Sequence, residues 1–343
     1  MKRHNNLFPK VVDFKNIHLS YLKTRKRKKY ASKALKFSFN LERNLLEIKR
    51  ELILKTYKHG KYSEFIVYDS KKRTIKAPCF KDRVVHHALC NIIEPIFDKS
   101  FVSDSYACRN NKGTHKGIKR LKAFLKNENN CYCLKCDISK YFDNINHNVL
   151  ISFVKRKIKD KEIIWLIQGI VKSSYKDEED KGIPIGNLTS QLFANIYLNE
   201  LDQFIKHVLR KRKFIRYMDD FLILDEEKKQ MRILKEVIRL FLSKNLKLKF
   251  NPKKVDIFPL FLGIDFLGYI LYRDYVLLRK STVKRLLKKM KKGTINGGGI
   301  NAWFAYVRHG NAFKLSKTII TGYLLRVILK MFLDCGQRSL TTD

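Results

Sequence analysis

Acidic residues are scarce in this chain of 343 residues. It carries 73 lysines and arginines against 32 aspartates and glutamates, which gives a formal net charge of +41. So large an excess of one sign makes a compact fold repel itself unless a polyanion neutralises it, and nucleic acid is the partner we expect. A basic protein of a membrane surface, or a ribosomal-type scaffold, is the alternative that charge alone leaves open.

Long apolar runs, internal repeats and low-complexity linkers are missing as well. No stretch is apolar over the length that a transmembrane helix needs, and no apolar signal region follows the basic N-terminus. The seven cysteines are an odd number and lack the spacing of a disulfide framework. We therefore expect reduced thiols, a cytoplasmic location and no membrane partner.

Three cysteines, Cys131, Cys133 and Cys136, lie close enough together to suggest a zinc site. Their segment has the pattern of a β-strand, which puts the first two on one face and the third on the other. A tetrahedral site also needs a fourth ligand, and none is near in the sequence. Buried structural thiols are the interpretation we prefer, with zinc as the alternative.

A hydrophobic content of 45% is enough for a core, and the first part of the chain is predicted to be mostly helical. Residues 1–60 have the pattern of basic helices. Residues 64–68 and 73–77 predict a β-hairpin, closed by Pro78. A helix with a buried stripe follows, and we expect it to end near Pro95.

The second part of the chain alternates strands and helices, and the whole order predicts an α+β fold with a palm-like sheet. An amphipathic helix follows residue 186, and Thr189 or Ser190 is expected to cap it. The other predicted elements are a strand running into Asp137, a short helix and a longer one after Ile151, a loop at 182–186, a hairpin at 214–224, a helix at about 226–243, strand segments at 247–250 and 261–276, and a basic helical end from Leu278 that residues 297–299 interrupt.

The predicted hairpin holds two adjacent carboxylates, Asp219 and Asp220. Adjacent carboxylates in a tight turn repel each other and are tolerated where a cation lies over them, although an ordinary solvated turn explains the pair alone. Asp137 ends a separate predicted strand. A strand-end carboxylate together with an acidic hairpin supplies the hard oxygen ligands that two Mg²⁺ ions, roughly 4 Å apart, need in phosphoryl transfer.

The motifs around these aspartates resemble those of reverse transcriptases, and the resemblance covers almost the whole chain. Residues 135–145 (KCDISKYFDNI) resemble motif A of that family, and residues 216–220 (RYMDD) resemble motif C. The other matches are residues 73–78 (RTIKAP) and 81–89 (KDRVVHHAL) with the fingers of bacterial members, 251–254 (NPKK) with motif D, and 266–270 (FLGYI) with the primer grip.

This resemblance implies a right-hand polymerase whose palm carries an antiparallel sheet with the acidic hairpin. The fingers would occupy residues 1–130, the palm 131–277 and a short, basic, helical thumb 278–343. Its substrates would be a template RNA, the growing cDNA and dNTPs. The residues implied to contact primer and template are Gln191, Tyr217, Met218, Leu267 and Gly268.

Motif B narrows the resemblance. Residues 182–191 (GIPIGNLTSQ) place Ile185 before Gly186, where most reverse transcriptases have glutamine. This resembles reverse transcriptases of diversity-generating retroelements, and residues 106–109 (YACR) with 113–115 (GTH) fit the same group. That group implies a bacterial host cell and error-prone copying of a template-repeat RNA, chiefly opposite template adenines. It also implies a small, basic, oligomeric accessory variability protein as partner.

Two other classes of protein remain open at this point. A retron-type or abortive-infection-type bacterial reverse transcriptase would share the polymerase motifs, although we find no retron thumb or insertion signature. A catalytically silent RNA-binding scaffold would keep the basic surface without needing three aspartates.

The resemblance also implies a role for each acidic residue. Asp137 and Asp219 would bridge two Mg²⁺ ions, for which Mn²⁺ is a possible substitute, and Asp220 would complete the acidic cluster. The backbone carbonyl of Ile138 would join the second metal.

Cations and an aromatic ring are implied around the incoming nucleotide. Arg73 would reach the triphosphate, with Lys81 as a weaker candidate. Phe142 lies at the steric-gate position and would exclude a ribose 2′-hydroxyl, unless it is a plain core residue. Lys254 would protonate the leaving pyrophosphate, or is an ordinary solvated lysine.

Motif B supplies the last two implied nucleotide contacts. Gly186 would let the backbone approach the templating base pair without a Cβ in the way. Ile185 cannot form the hydrogen bonds of glutamine, so geometric checking of the nascent pair would loosen. A packing isoleucine, with fidelity set elsewhere, is the alternative.

Overall fold

The computed structural model of the protein describes residues 3–68, 72–126, 131–173, 180–292, 297–313, 315–319 and 321–322. These residues fall into two compact units. The first lies within residues 1–113 and 134–257, and the second within residues 114–133 and 258–343. Within the described ranges, no helix is both long enough and apolar enough to cross a membrane.

The helices begin and end as follows: α1 (Phe8–Val11), α2 (Phe14–Arg25), α3 (Ser32–Phe39), α4 (Leu41–Ile53), α5 (Phe80–Asp98), α6 (Thr114–Leu125), α7 (His147–Lys157), α8 (Lys161–Lys172), α9 (Leu188–Gln203), α10 (Lys228–Leu246), α11 (Lys280–Lys291) and α12 (Gly297–Val307). The helical N-terminal region is therefore confirmed. In α4 the apolar residues recur every three or four positions, so Leu45, Ile48 and Leu52 share one buried face.

The strands are β1 (Ser63–Tyr68), β2 (Lys72–Ala77), β3 (Tyr132–Asp137), β4 (Phe214–Tyr217), β5 (Asp220–Asp225), β6 (Asp256–Pro259), β7 (Ile264–Phe266), β8 (Tyr269–Leu271) and β9 (Val276–Leu278). Strands β1 and β2 form the expected antiparallel hairpin, with Ser63 opposite Ala77. A four-stranded sheet has the order β4-β5-β3-β6, and a three-stranded antiparallel sheet has the order β7-β8-β9.

The half of the four-stranded sheet formed by β4 and β5 is built mainly from apolar residues. Strands β4 and β5 pair antiparallel, and Phe214, Phe221 and Ile223 are fully buried. Since β3 lies next to β5 and ends at Asp137, the sheet carries both predicted acidic segments. Mixed helices and antiparallel strands confirm the α+β class.

Two predictions about helix ends were wrong. Helix α5 continues through Pro95 to Asp98, because a proline removes only one backbone donor and the helix still buries Phe97 beyond it. Asn187 occupies the N-cap position of α9, although its side chain accepts no capping hydrogen bond, so Thr189 and Ser190 lie inside the first turn, where both side chains are buried.

Other boundaries also differ. Helix α7 begins at His147 rather than after Ile151, because the Asn146 side chain accepts a hydrogen bond from the N–H of Val149 and caps it. Residues 247–250 form no strand beyond one isolated bridge from Phe250 to Ile138. The glycines at 297–299 open α12 instead of interrupting a helix.

The cysteine strand is β3. The thiols of Cys131, Cys133 and Cys136 are all buried, as expected of structural cysteines. Of the expected thumb, the structure describes α11 and α12, whereas residues 323–343 lie outside the described ranges.

Candidate active site

The turn between β4 and β5 presents two aspartates from a constrained backbone. Tyr217 pairs with Asp220 across the hairpin, and Met218 between them adopts a positive φ of 59°. Burial raises the pKa of Asp219, and repulsion from Asp137 adds to the rise, whereas the charges of Lys254 and Arg73 oppose it. The carboxyl is therefore held where negative charge is costly.

Negative charge is less favourable on Asp220 than on Asp219. Burial raises its pKa to about 7, with further repulsion from Asp137 and Asp219. Its Oδ1 is buried and has no hydrogen-bond partner among the described residues. A buried carboxylate oxygen without a partner is rare in folded proteins and marks a position that a ligand can complete.

Asp137 is held differently. It ends β3, and its backbone carbonyl accepts a 2.8 Å hydrogen bond from the N–H of Asn251. The Asn251 amide donates to Oδ1 at 3.0 Å, and the ammonium of Lys254 forms an ion pair with Oδ2. The Asp137 carboxylate thus already has an amide donor and a cation from the segment that resembles motif D.

The donor set fits a divalent cation. Asp137, Asp219 and Asp220 supply hard carboxylate oxygens, and Oδ1 of Asp220 has no hydrogen-bond partner among the described residues, although the charge of Lys135 acts on that carboxyl. Within the described residues, no group of three or more His, Cys, Asp or Glu side chains is arranged so that it could hold a metal ion. The ammonium of Lys254 is the cation at Asp137 in this state.

Ile138, the predicted carbonyl ligand, is buried next to Asp137. It bridges to Phe250, and the N–H of Ser139 donates to the carbonyl of Lys249 at 2.9 Å. Together with the bond from Asn251 to Asp137, this fixes the backbone on both sides of Ile138. The end of β3 is therefore rigid where the predicted ligand lies.

A buried brace beneath the hairpin was missed by sequence reasoning. Arg216 is fully buried, and its guanidinium donates to both carboxylate oxygens of Asp202 at 2.7 Å. One Nη also donates to the carbonyl of Met218 at 2.9 Å, and to Oδ1 of Asn195 at 3.3 Å. The brace therefore ties helix α9 to the turn that presents Asp219. Its signal was a charged residue on an otherwise apolar strand.

The two predicted triphosphate cations lie in different surroundings. Arg73 is exposed on β2, and its charge acts on Asp219. Lys81 forms ion pairs with Glu51 at 2.6 Å and Glu47 at 3.0 Å, both on α4. The structure thus brings Arg73 to the acidic cluster and holds Lys81 on two glutamates.

Backbone hydrogen bonds connect the predicted steric gate and the motif B loop. Phe142 lies half-buried in a short 3₁₀ turn, and its carbonyl accepts a 2.9 Å bond from the N–H of Ile183. The carbonyl of Ile185 accepts a 3.0 Å bond from the N–H of Lys76 on β2. The loop therefore runs between the gate and the β1–β2 hairpin.

Gly186 has a positive φ of 123°, and a Cβ there would lie 2.9 Å from Cγ2 of Ile75. The glycine is required by the close approach of the loop to β2. Its predicted role beside a base pair stays a prediction.

The predicted primer and template contacts fall in both units. Gln191 is half-buried in the first turn of α9, and Tyr217 and Met218 are half-buried at the catalytic hairpin. Leu267 and Gly268 form the turn between β7 and β8 in the second unit, both with positive φ. Tyr306 donates a 3.4 Å hydrogen bond to the Leu267 carbonyl there.

A family model described as reverse transcriptase (RNA-dependent DNA polymerase) matches residues 58–271, which include the whole acidic cluster. The chain belongs to the reverse transcriptase family. It carries the enzymatic domain of that family, whose members use divalent metal ions.

Two relatives illustrate the similarity. The chain is 29% identical over 245 residues to protein YkfC of Escherichia coli (strain K12), covering 60% of this chain and 64% of that protein. It is 28% identical over 294 residues to the group II intron-encoded protein LtrA of Lactococcus lactis subsp. cremoris, covering 66% of this chain and 48% of LtrA. The chain thus spans less than two-thirds of the length of either relative.

The fold itself also occurs in telomerase. Apo telomerase from Candida tropicalis superposes with a TM-score of 0.52 at 13% identity, covering 66% of this chain and 50% of that one. The reverse transcriptase fold predicted from the motifs is confirmed.

Proposed function

We propose that the protein is an RNA-directed DNA polymerase that adds dNTPs to a primer on a template RNA. The observation that carries the proposal is the acidic cluster, in which half-buried Asp220 has one buried, unpartnered oxygen beside Asp219 and Asp137. A fold under selection for stability alone would not keep such a cluster, because each buried unpaired charge is costly. The family membership supplies the reaction class.

Each acidic residue has a distinct task in this proposal. Asp137 and Asp219 would hold two Mg²⁺ ions, with Mn²⁺ a possible substitute, and Asp220 and the carbonyl of Ile138 would complete their ligands. When bound, such ions lower the pKa of the primer 3′-hydroxyl and neutralise charge on the phosphates. The Arg216 brace keeps the Asp219 turn in its positive-φ conformation throughout.

The nucleotide would be held by residues on either side of the cluster. The guanidinium of exposed Arg73 binds the triphosphate, and the ring of Phe142 occupies the space of a ribose 2′-hydroxyl. The ammonium of Lys254 would give a proton to the leaving pyrophosphate, and its ion pair with Asp137 supports this role. Lys81 supports the fingers through its ion pairs with α4 rather than contacting the phosphates.

The finer proposal is that the enzyme copies a template-repeat RNA with errors opposite adenine, together with a small, basic, oligomeric accessory variability protein. Ile185 supports it, because an isoleucine cannot form the hydrogen bonds of the glutamine found in most relatives of the family. The basic surface, with a net charge of +41, supports binding to template and cDNA.

Primer extension on a defined RNA, with product sequencing, tests both levels. Wild-type protein should extend the primer with Mg²⁺, and the double variant Asp219→Ala, Asp220→Ala should not. Ile185→Gln should lower misincorporation opposite adenine while extension persists. Equal inactivity of wild type and double variant, with the RNA and accessory protein supplied, would favour the silent scaffold. An unchanged error spectrum in Ile185→Gln would remove the role given to Ile185.

A further inference from the structure

Asn187 occupies the N-cap position of α9 but does not cap it. An asparagine there usually accepts a hydrogen bond from the first turn of the helix, and no such bond is formed here. Instead, its Nδ2 donates to the hydroxyl of Tyr62 at 3.0 Å. The side chain is almost fully buried, so its amide is committed to the segment that precedes β1.

The hydroxyl of Tyr62 continues a chain of hydrogen bonds with a fixed direction. It lies 2.8 Å from Oγ of Ser173, which donates to the carbonyl of Ile170 at 2.6 Å. Because a serine hydroxyl has one proton, Ser173 accepts from Tyr62, and Tyr62 accepts from Asn187. Burial raises the pKa of Tyr62, so its hydroxyl keeps its proton. This row of hydrogen bonds therefore needs a donor at residue 187.

Among the described residues, this row of hydrogen bonds joins two other contacts that attach the motif B loop to the β1–β2 hairpin and the residue before it. The N–H of Lys76 binds the carbonyl of Ile185, and Gly186 packs against Ile75 too closely for a Cβ. Asn187 follows directly and binds Tyr62, one residue before β1. The loop is thus fixed to the hairpin that carries Arg73.

The attachment is retained at a cost to stability. Oδ1 of Asn187 is buried without a hydrogen-bond partner among the described residues. An asparagine that leaves its helix uncapped and one amide oxygen unsatisfied is a poor choice for folding alone. What the position gains is an N–H donor aimed at Tyr62.

We propose that Tyr62 and Asn187 are positioning residues that hold the Ile185–Gly186 loop ready for the incoming dNTP and thereby set nucleotide affinity and selectivity. The inference rests on the proposed polymerase function and deepens it. A loop that is fixed before binding gives tighter binding than one that is ordered by the ligand. Loosening the loop therefore weakens dNTP binding and changes which nucleotide is accepted.

Steady-state primer extension tests the inference on the full chain, with KM for dNTP, kcat and misincorporation frequency as readouts. Tyr62→Phe and Asn187→Ala should each raise KM about fivefold, the equivalent of one ordinary hydrogen bond, with kcat within twofold. Both should also shift misincorporation. Tyr21→Phe is the matched control, because it removes another tyrosine hydroxyl, which lies 2.7 Å from Oγ of Ser38, and that serine also donates to a backbone carbonyl, of Ala34, far from the loop in the sequence.

Tyr62→Phe separates positioning from folding. It keeps the ring and removes only the hydroxyl, so the melting temperature should fall no more than in the control variant, yet KM should still rise. Values of KM and misincorporation within twofold of wild type in Tyr62→Phe and Asn187→Ala would overturn the inference while leaving the polymerase intact. A wild-type protein that extends no primer would overturn the proposed function and this inference with it.

Discussion

The acidic residues of the site are held in two contrasting ways. Asp137 has the Asn251 amide on one oxygen and the Lys254 ammonium on the other. Asp219 and Asp220 are half-buried at the hairpin, their pKa values are raised, and Oδ1 of Asp220 has no hydrogen-bond partner in the described part of the chain. The comparison shows that Asp137 has donors of its own, whereas the hairpin carboxyls are held where negative charge is costly.

The hairpin can carry this charge because the structure beneath it is rigid. The guanidinium of Arg216 is fixed by Asp202 and binds the carbonyl of Met218, which restrains the turn that presents Asp219. Strain of this kind persists only where its surroundings over-determine it, and it is typical of functional sites.

The largest expected effect comes from removing charge at the hairpin. Asp219→Asn should lower primer extension by at least about 1000-fold, because it deletes a proposed ligand of the reacting centre. The free energy of unfolding should hold or rise, since a carboxyl whose pKa is raised by burial and by repulsion from Asp137 is replaced by a neutral amide. Primer extension and urea denaturation measure the two quantities. Asp225→Asn, at the far end of β5, is the control, and activity within tenfold of wild type in Asp219→Asn would contradict the prediction.

The brace should give the next largest effect. Arg216→Met leaves Asp202 buried without its partner and should lower the free energy of unfolding by about 3–5 kcal/mol. Arg156→Met breaks an exposed pair with Glu200 and should cost less than about 1 kcal/mol. Denaturant titration compares them. Similar losses in the two variants would show that Arg216 is not a fixed brace.

Features set by local sequence patterns could be predicted, whereas those set by packing between distant segments could not. The hairpin, the strand ending at Asp137 and the α+β class follow from local patterns of apolar and turn residues, and all three were confirmed. The pair between Arg216 and Asp202 depends on packing between α9 and β4, which no local pattern contains. The role of Asn187 was missed for a similar reason: it occupies the N-cap position of α9, but its side chain is committed to Tyr62, far away in the sequence.

Lys81 and Lys254 show the same limit for charged residues. Both were predicted from motif position to meet phosphates, and both lie in ion pairs whose partners come from other parts of the chain. Sequence indicates that a lysine is present, whereas tertiary structure decides which carboxylate it meets first. Their roles toward a nucleotide remain proposals.

The third-largest effect is expected in the pH dependence of stability, which should distinguish the hairpin aspartates from Asp137. Burial raises the pKa of Asp220 to about 7, above the value of about 3.9 for an unfolded aspartate. The folded protein therefore binds more protons than the unfolded chain between these values, and its free energy of unfolding should fall as pH rises from 4 to 7. The fall should be on the order of 2–4 kcal/mol in metal-free buffer.

Asp220→Asn should remove most of that slope, because the amide does not titrate. Urea denaturation in chelator at several pH values provides the measurement, and Asp225→Asn again serves as the control. A wild-type slope that persists unchanged in Asp220→Asn would assign the titration to another group.

The smallest expected effect lies on the Asp137 side. The Lys254 side chain is 44% exposed, so its ion pair is screened by water and Lys254→Met should change the free energy of unfolding by less than about 1 kcal/mol. Because the ammonium holds the place of a cation, its removal should instead tighten Mn²⁺ binding several-fold, as measured by electron paramagnetic resonance of the free ion. Lys253→Met, on the adjacent residue, should leave Mn²⁺ affinity unchanged. If both variants bind Mn²⁺ like wild type, Lys254 does not compete with metal, and the contrast between the two sides reduces to the raised pKa values of the hairpin aspartates alone.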